Sequence, residues 1–388
     1  MKCRMCGGRV KSFNSMNYPL TGGAVVTPNF GEVPVVTMEV GMCLECGFVS
    51  LIRPDSNKIC YDESYTSSNM SLNLGAPIDK TQDFISFIGQ LNLSPKSKVL
   101  EIGCYDGGLM TLLQKYFNFQ VWGCDPCPAV DIAIEKGLQV LKGDFKSKDW
   151  RRGEFDIIVM RNVLEHISQP IEFLHDIYKV VSLKGLIVVD VPDGYDRLTK
   201  AVIGSIVPQH PNYFSTSTLN QVLQAGGFSI IKTERYIGSI RVAAVKSDLI
   251  PLEIQTTMYN SDSFSQLVHG EDRRLEKHKK IHSFNLDDVY FFGANTCTLE
   301  ILSMGDIAQS NAVLNIIDDD PLKWGRVLVN SDIEVCSRED FVERINPFQT
   351  IIICSYFSHQ KILRWLYGLG KPFRIMHLYP EPVLEARK

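Results

Sequence analysis

The chain has 388 residues, of which 45% are hydrophobic and 22% are charged, and this length predicts two or three domains. Its formal net charge is −4, so no basic field attracts nucleic acid or an anionic membrane, and neither is an expected partner. The sequence shows neither the apolar length of a membrane span nor the apolar core of a signal peptide, which predicts a cytoplasmic protein whose 11 cysteines are thiols or metal ligands.

The first predicted element is a small module held by two cysteine pairs. Cys3 and Cys6 form one C-x-x-C pair, Cys43 and Cys46 form another, and glycine follows each pair directly. Two such turns, brought together by a hairpin, place four thiolates around one ion, which is the ligand set of a closed tetrahedral zinc site. The stretch between the pairs is longer than in most zinc ribbons, so the hairpin carries an insertion. Because four sulfurs leave no open position, we expect a structural zinc, in a module of residues 1–58.

A polar segment rich in tyrosine and serine follows the module and contains Tyr65. A helix is predicted over 82–91, and it precedes the most informative motif of the chain, KVLEIGCYDGG at 98–108. There an apolar strand ends at Gly103, the chain turns at Gly107, and leucines then recur at helical spacing. Glycine lets the backbone approach a ligand closely, and the N–H groups at the start of a helix favour polar or anionic groups. The motif therefore predicts a nucleotide-type cofactor site.

Further strands place polar residues where such a fold binds its ligand. The strand over 120–124 ends in Asp125, where an acid can hold both hydroxyls of a ribose. Strands are also predicted over 138–141 and 155–160, and the polar residues after them are Asp144, Asn162, Glu165 and His166. The alternation of strands and helices defines a second domain, residues 59–283. Its charged helix over 264–281 is interpreted as a solvated linker.

Residues 284–388 repeat the order of strand, glycine turn, helix, strand and acid over a shorter length. The strand VYFFG leads into Gly293, VLNIIDDD ends in acids at 318–320, and TIIIC forms a third strand. A second ligand site and a unit used for packing or dimerisation are equally consistent with this pattern.

The glycine order resembles the first motif of the S-adenosylmethionine (SAM)-dependent methyltransferases with a Rossmann-like fold, and it differs from the G-x-G-x-x-G of dinucleotide-binding folds. Glu101, two residues before Gly103, is part of this resemblance. It implies SAM as the cofactor, with the adenine near Asp144. The cofactor-binding residues that it implies are Glu101, Gly103, Tyr105, Gly107, Asp125, Pro126, Asp144, Phe145, Asn162, Glu165 and His166. For Glu165 and His166, support of the cofactor loop is preferred to direct catalysis.

Over nearly its whole length the chain resembles the bacterial nucleotide-sugar C-methyltransferases, which make 3-C-methyl branched deoxysugars. Beside the cysteine pairs, this resemblance depends on HPNYFS at 210–215, GSIR at 238–241, Gly293-Ala294 and DDDPLKWGR at 318–326. It implies an α/β protein with a small N-terminal zinc module, a Rossmann-like SAM methyltransferase core and a second Rossmann-like C-terminal domain. It also implies a nucleotide-diphosphate sugar as the small-molecule substrate. We expect a monomer or a homodimer, and Arg241 is equally consistent with a substrate phosphate and with an ion pair in a strand.

Family members transfer the methyl group to a carbon next to a ketone, which requires a general base and a hydrogen-bond donor for the enolate oxygen. His210 matches the last histidine of the family's Tyr-His-Glu-His segment and is the expected base. Val207, Pro208 and Gln209 occupy the preceding positions, so an amide that can only donate or accept hydrogen bonds replaces the glutamate. Tyr65 resembles the family's substrate-side tyrosine. Three hypotheses remain: C-methylation, O-methylation of the same class of sugar with His210 as base, and a non-catalytic binding protein with the SAM fold.

Overall fold

The structure is a computed structural model, and it describes residues 1–21, 25–27, 33–52, 78–236, 238–247, 253–254, 256, 261–284, 288–304, 314–356 and 358–386. Tyr65 and the predicted boundary at residue 58 lie outside the described residues.

The strands of the described residues are, in chain order, β1 (Val10–Pro19), β2 (Val26–Thr27), β3 (Val35–Cys43), β4 (Val49–Leu51), β5 (Lys98–Ile102), β6 (Gln120–Asp125), β7 (Gln139–Lys142), β8 (Phe155–Arg161), β9 (Val181–Pro192), β10 (Asn212–Tyr213), β11 (Phe228–Tyr236), β12 (Ser239–Lys246), β13 (Val289–Phe292), β14 (Leu314–Ile317), β15 (Val327–Leu328), β16 (Val335–Cys336), β17 (Thr350–Ile353), β18 (Arg374–His377) and β19 (Val383–Ala386).

The helices are α1 (Ile78–Gly89), α2 (Gly108–Phe117), α3 (Val130–Glu135), α4 (Pro170–Val180), α5 (Gly194–Thr199), α6 (Thr216–Ala225), α7 (Ser261–Ser283), α8 (Thr296–Ser303), α9 (Arg338–Arg344) and α10 (His359–Gly368). None of these helices in the described part of the chain combines the length and the apolar character that crossing a membrane requires.

Local sequence explains where several of these elements begin and end. α2 starts after Gly107 and ends before Asn118, and both residues adopt the left-handed backbone conformation, with φ of 74° and 57°. The side chains of Ser215 and Thr218 form a capping box at the start of α6. The helix predicted over 82–91 spans Ile78–Gly89, because periodicity locates an element more reliably than its ends.

The larger sheet has seven strands in the order β11-β12-β9-β8-β5-β6-β7. β5 pairs in parallel with both β6 and β8, whereas β12 runs antiparallel to β9 and β11. The strand order reverses between β5 and β8. Open α/β sheets bind ligands outside the carboxyl ends of their strands at such a reversal, so this edge positions the candidate site.

Hydrophobic clusters cover both faces of this sheet. On one face, α1 and α2 contribute Phe84, Ile88 and Leu113. On the other face, α4 and α6 contribute leucines such as Leu174 and Leu219. The cysteine module packs into this second cluster through Phe48, whose ring meets that of Phe214 at a centroid distance of 5.7 Å.

The second sheet has the order β16-β14-β13-β17-β18-β19. β13 pairs in parallel with β14 and β17, and the final strand β19 is antiparallel to β18. Its cluster of buried residues includes Phe341 from α9 and Leu366 from α10. The short strands β2 and β15 also pair, with Val26 opposite Leu328.

The chain divides into two compact units. The first unit is Met1–Phe13, Glu39–Asp196 and Gln209–Phe264, and the second unit is Asn14–Met38, Arg197–Pro208 and Ser265–Lys388. The four cysteines of the N-terminal module belong to the first unit, and Cys3, Cys43 and Cys46 are part of the core of the seven-stranded sheet. Sequence spacing does not reveal that shared core.

The helix interpreted as a solvated linker buries several of its charged residues. Arg274, Lys277 and His278 of α7 are 3%, 2% and 4% exposed. Buried charges require partners, and Arg274 forms ion pairs with Glu271 and Glu300. From Ser265 onward, α7 is therefore part of the core of the second unit.

Candidate active site

The turn after β5 forms the centre of the candidate site. Gly103 and Gly107 have φ values of 79° and 74°, and Tyr105 between them also has a positive φ of 48°. A Cβ atom on Gly107 would lie 2.9 Å from the Cβ atom of Ala133, so glycine is required both by the backbone and by the close approach of α3. The turn thus brings its backbone N–H groups to the carboxyl edge of the sheet.

Asp125, the last residue of β6, is held by two backbone amides. Its Oδ2 accepts from the N–H of Tyr105 at 2.9 Å, and its Oδ1 accepts from the N–H of Cys127 at 2.7 Å. Burial raises the pKa of this carboxyl group, against the effect of both amides. Each oxygen keeps a second lone pair, so the carboxylate can still accept from the hydroxyls of a ribose.

Glu101, in β5, is a buried acid that its surroundings do not satisfy. Its side chain is 1% exposed, and within the described ranges neither carboxylate oxygen has a hydrogen-bond partner. Burial raises the pKa of this group well above its usual value, although Arg161 acts in the opposite direction. A buried carboxylate without partners is costly, and an ammonium group from a ligand would satisfy it.

The residues predicted near the adenine surround the end of β7. The N–H of Gly143 donates to the backbone oxygen of Asp125 at 2.9 Å, which keeps the third strand beside the acid. Pro126 and Asp144 are exposed at this edge. Phe145 is half-buried, and its ring meets the ring of Phe173 at 5.7 Å. This edge therefore carries an exposed carboxyl group and one half-buried aromatic side chain.

The segment after β8 carries the next polar residues. Asn162 has a φ of 54°, and its N–H donates to the backbone oxygen of Asp190 at 2.8 Å. Glu165 and His166 follow in a short 3₁₀ turn, and Glu165 is 2% exposed. This turn follows the carboxyl end of β8, at the same edge of the sheet as the glycine turn.

His166 is held in one tautomer. Its Nδ1 lies 2.9 Å from the backbone oxygen of Gln209, and because a carbonyl can only accept, Nδ1 must donate. Burial lowers the pKa of His166 to about 4, against the effect of that carbonyl, so the ring is neutral at pH 7. Its Nε2 therefore carries a lone pair, 3.9 Å from a carboxylate oxygen of Glu165.

His210 lies beside His166. The two rings meet edge to face with centroids 4.7 Å apart, and ligand atoms of Glu165, His166 and His210 all lie within 4.8 Å of one another. The side chain of Asn212 fixes this arrangement, because its Nδ2 donates to the backbone oxygens of Leu164 and Ile167 at 3.1 and 2.7 Å. Residues from two distant segments thus form one polar cluster.

The predicted substrate-side residues are only partly brought together. His210 and Gln209 belong to the cluster, although the contact that Gln209 makes to His166 uses its backbone oxygen. The side chain of Gln209 is 6% exposed. Val207 belongs to the second unit. Tyr65 is outside the described residues.

A buried row of charges lies at the same edge, and the sequence analysis considered only one of its members, Arg241. Arg161, Asp190 and Arg241 are register neighbours on β8, β9 and β12. The Arg241 side chain is 1% exposed and lies 3.3 Å from Asp190, so it forms an ion pair. Arg161 donates to the hydroxyl of Thr81 at 3.0 Å. Opposite charges near the ends of neighbouring strands are the signal that could have found this row.

The four cysteines of the N-terminal module converge. The Sγ atoms of Cys3 and Cys46 are 3.7 Å apart, those of Cys6 and Cys43 are 3.5 Å apart, and all four lie within 4.8 Å of one another. A zinc ion bound to four sulfurs at about 2.3 Å separates them by about 3.8 Å. The two turns share one pattern, since the amides of Gly7 and Gly47 donate to the backbone oxygens of Cys3 and Cys43. The cluster could bind a metal ion.

Residues 77–233 match a family described as a methyltransferase domain. This range begins just before α1 and includes the glycine turn, Asp125 and the polar cluster of Glu165, His166 and His210. Within residues 77–233 the chain carries a SAM-dependent methyltransferase domain. SAM is the cofactor of this domain, and the residues present fit it: Glu101 offers two unsatisfied oxygens to an ammonium group, and Asp125 keeps lone pairs for a ribose.

Similar curated proteins are also methyltransferases. The chain is 23% identical over 387 residues to C-methyltransferase NovU of Streptomyces niveus, covering 92% of this chain and 90% of NovU. It is 21% identical over 202 residues to phosphoethanolamine N-methyltransferase 1 of Arabidopsis thaliana, covering 49% of this chain. The chain spans only 41% of the length of that plant enzyme.

Two of the similar solved structures each align with 45% of the chain. A putative sarcosine dimethylglycine methyltransferase from Galdieria sulphuraria is 14% identical with a TM-score of 0.39, over 45% of this chain and 87% of that one. A 1,6-didemethyltoxoflavin-N1-methyltransferase from Burkholderia thailandensis is 15% identical with a TM-score of 0.36, over 45% of this chain and 80% of that one.

Proposed function

We propose that this protein methylates a nucleotide-diphosphate sugar, at a carbon next to a ketone, with His210 as the general base. The observation that carries the proposal is the similarity to NovU, which is described as a C-methyltransferase and which aligns with 92% of this chain. That alignment extends far beyond residues 77–233, so it includes most of the sequence outside the methyltransferase domain.

The polar cluster supplies groups that such a reaction requires. SAM supplies an electrophilic methyl group when bound, so the protein must create a nucleophile at neutral pH. A ring nitrogen of His210 would take the proton from the carbon, and the electron pair of the C–H bond would move into the enolate. His166, with its proton on Nδ1 and a lone pair on Nε2, can accept a hydrogen bond from His210 and orient it. Glu165 then lies where it can stabilise a protonated histidine.

The enolate oxygen requires a hydrogen-bond donor. We assign this role to the amide of Gln209, with Tyr65 as a further donor to the substrate. An amide side chain can donate without changing its charge, and a donor directed at the developing oxyanion lowers the barrier.

O-methylation of the same class of sugar is the second candidate function. The specific observation that favours it is the residue pattern before His210, where Val207 and Gln209 carry neither a hydroxyl nor a carboxyl group. Deprotonating a hydroxyl needs one base and no stabilised enolate, so His210 alone would suffice.

We further propose that Cys3, Cys6, Cys43 and Cys46 hold one structural Zn²⁺. The distances between their sulfurs agree with tetrahedral coordination, and Cys3, Cys43 and Cys46 are buried. Four protein ligands leave no position for a substrate, so the ion would stabilise the module without taking part in methyl transfer.

The deciding experiment measures proton exchange and methyl transfer together. Purified protein is incubated in deuterium oxide with a panel of nucleotide-diphosphate keto-sugars and hydroxy-sugars, with and without SAM, and the products are analysed by mass spectrometry. C-methylation predicts exchange at the carbon next to the ketone, followed by a product that is one methyl group heavier.

The matched variants are His210→Gln and His175→Gln. His210→Gln should abolish both exchange and methylation, whereas His175, which contacts the backbone oxygen of Ala225, should be replaceable. A methylated product without any prior exchange would contradict the enolate route and favour oxygen as the acceptor.

A further inference from the structure

The sheet of the second unit has the strand order that forms a ligand crevice in Rossmann-type folds. The order of its sheet reverses between β14 and β17 around β13, and Gly293 follows β13 with a φ of 117°. The carboxyl edge at such a reversal is where open α/β sheets bind nucleotides.

Backbone groups of the same chain lie at this edge. The N–H of Gly204 donates to Oε2 of Glu300 at 2.7 Å, and the backbone oxygen of Gly204 accepts from the hydroxyl of Thr296 at 2.8 Å. The N–H of Ile203 donates to the hydroxyl of Tyr379 at 3.1 Å. Thr296 and Glu300 lie on α8, which follows the glycine turn, and Tyr379 follows β18. The segment 201–204 thus lies where a free ligand would approach.

Gly204 makes this approach possible. Its φ is +80°, and a Cβ atom at this position would lie 2.5 Å from the backbone nitrogen of Cys297, in the first turn of α8. Only a residue without a side chain lets one backbone come this close to another.

Glu300, the main acceptor, is rigidly held. It is 0% exposed, and its Oε1 accepts from Arg274 at 2.5 Å and contacts Nε2 of His278 at 2.8 Å. Lys277 donates from the same helix, α7, to the backbone oxygen of Ala201 at 3.3 Å. A buried network of this kind fixes the position of the segment that it binds.

The acid of the second unit that corresponds to Asp125 also has partners within the protein. Asp318, after β14, accepts from the N–H of Ala294 at 2.8 Å and lies 3.1 Å from Nζ of Lys323. Lys323 is 7% exposed and also donates to the backbone oxygen of Ala294 at 3.0 Å. A cation thus lies against this carboxylate.

We propose that the crevice of the second unit binds residues 201–204 of its own chain in place of a nucleotide, and that Glu300, Thr296 and Tyr379 are thereby positioning residues for His210. The chain returns to the first unit at Gln209, so the anchored segment and His210 are separated by only a few residues. The role given to His210 here rests on the proposed function, whereas the anchoring of 201–204 does not.

The test uses two glycine variants of the full chain. Gly204→Ala adds a Cβ atom that meets Cys297, and Gly325→Ala is its matched control, since Gly325 has a φ of +70° but nothing within 4 Å of the added atom. Hydrogen–deuterium exchange followed by mass spectrometry reports the anchoring. Amides of 199–206 should exchange at least tenfold faster in Gly204→Ala than in Gly325→Ala, with β5 and β6 unchanged.

Tyr379→Phe provides a milder variant if Gly204→Ala does not fold, because it removes one hydroxyl and no packing atom. Its control is Tyr367→Phe, whose hydroxyl contacts Glu385 in the same unit. The Tyr379 variant should show the same faster exchange over 199–206, and the control should not. Wild-type exchange rates in both anchor variants would overturn the anchoring.

Two readouts then test the positioning of His210. In the anchor variants, kcat for methyl transfer should fall at least tenfold while the Kd for SAM stays within twofold of wild type. The rate at which diethyl pyrocarbonate modifies His210 should also change severalfold, with His175 as an internal control. Faster exchange with unchanged kcat and unchanged His210 modification would overturn the positioning role. If the wild-type protein methylates no sugar of the panel, the proposed function fails, and the exchange and modification rates still decide the anchor.

Discussion

In each of the two Rossmann-like sheets, an acid after a strand accepts hydrogen bonds from two backbone amides. The two acids differ in whether a cationic side chain lies next to them. Asp125 accepts from the N–H of Tyr105 in the preceding turn and from that of Cys127, two residues on. Asp318 accepts in the same way from the N–H groups of Ala294 and Asp320. Asp318 also pairs with a lysine, whereas within the described ranges Asp125 forms no ion pair. Shared backbone geometry alone therefore does not make a cofactor site.

A second difference lies two residues before the first glycine of each turn. The first unit has Glu101 there, with two unsatisfied oxygens, and the second unit has Phe291, which is 0% exposed. A buried acid requires a cationic partner, while a buried phenylalanine requires only packing. The comparison indicates that the first sheet is built for a charged ligand and the second for stability.

Removing the metal should produce the largest difference in thermal stability between the two units. If the cysteine cluster holds structural zinc, chelation should lower the unfolding midpoint of the first unit by more than about 10 °C, because such an ion contributes folding free energy directly. Differential scanning calorimetry with metal analysis would check this. The transition of the second unit should stay in place, and Cys336→Ser there should leave the zinc content unchanged. An unaltered midpoint in zinc-free protein would contradict the structural role.

Replacing the lysine of the second crevice should destabilise only the second unit. Lys323→Met leaves the carboxylate of Asp318 without its cation, and such a loss in a buried pair costs about 3 to 4 kcal/mol. Urea unfolding should show this, and adding Asp318→Asn should recover part of the loss. The exposed Lys361 serves as the control, as Lys361→Met. A double variant as unstable as the single one would show that charge pairing is not the cause.

Mild acid should remove the stability that a neutral His166 contributes to the first unit. The pKa of His166 is lowered from 6.5 to about 4, so at this residue the unfolded chain binds more protons between these values. The contribution of His166 to stability therefore falls as the pH drops from 6.5 towards 4, by about 3 kcal/mol. In the second unit burial opposes ionisation of Glu300, but Arg274 and His278 keep its pKa below the usual value, so this carboxylate stays ionised until more acidic pH.

His166→Asn, which keeps a donor for the Gln209 backbone oxygen, should flatten this dependence between pH 4 and 6.5. His175→Asn should not. Calorimetry across the pH range would check both variants, and equal acid sensitivity of wild type and His166→Asn would rule out this histidine as the source.

The two acids should differ in their effect on SAM. Asp125→Asn leaves one oxygen to accept from two backbone amides and removes a charged acceptor, so the Kd for SAM should rise about 100-fold, or about 2.8 kcal/mol. Asp318→Asn should change that Kd by less than about twofold. Isothermal titration calorimetry measures both. Similar losses in the two variants would mean that the second crevice also takes part in cofactor binding.

Local patterns predicted the parts of this molecule that depend on neighbours in sequence. Cysteine spacing predicted the converging sulfurs, and the run from Glu101 to Gly107 predicted the strand, turn and helix. Sequence spacing could not predict that Gln209 fixes the tautomer of His166, because that contact joins segments 43 residues apart. It also left the role of Arg241 open between an ion pair and a substrate phosphate, since Arg161, Asp190 and Arg241 meet only through strand register. Register and long-range packing depend on the whole fold.

The chain passes repeatedly between the two units, and this affects both truncated fragments and the order in which the units can fold. Residues 14–38 belong with residues 265–388, and Val26 pairs with Leu328 across most of the polypeptide. A fragment ending near residue 264 would leave the buried Val25 and Val26 without their partner strand. During translation, these early residues are synthesised long before their partner strand. The second unit can therefore fold only late, and its folding is expected to be slow. Domain boundaries drawn along the sequence would therefore yield unstable pieces.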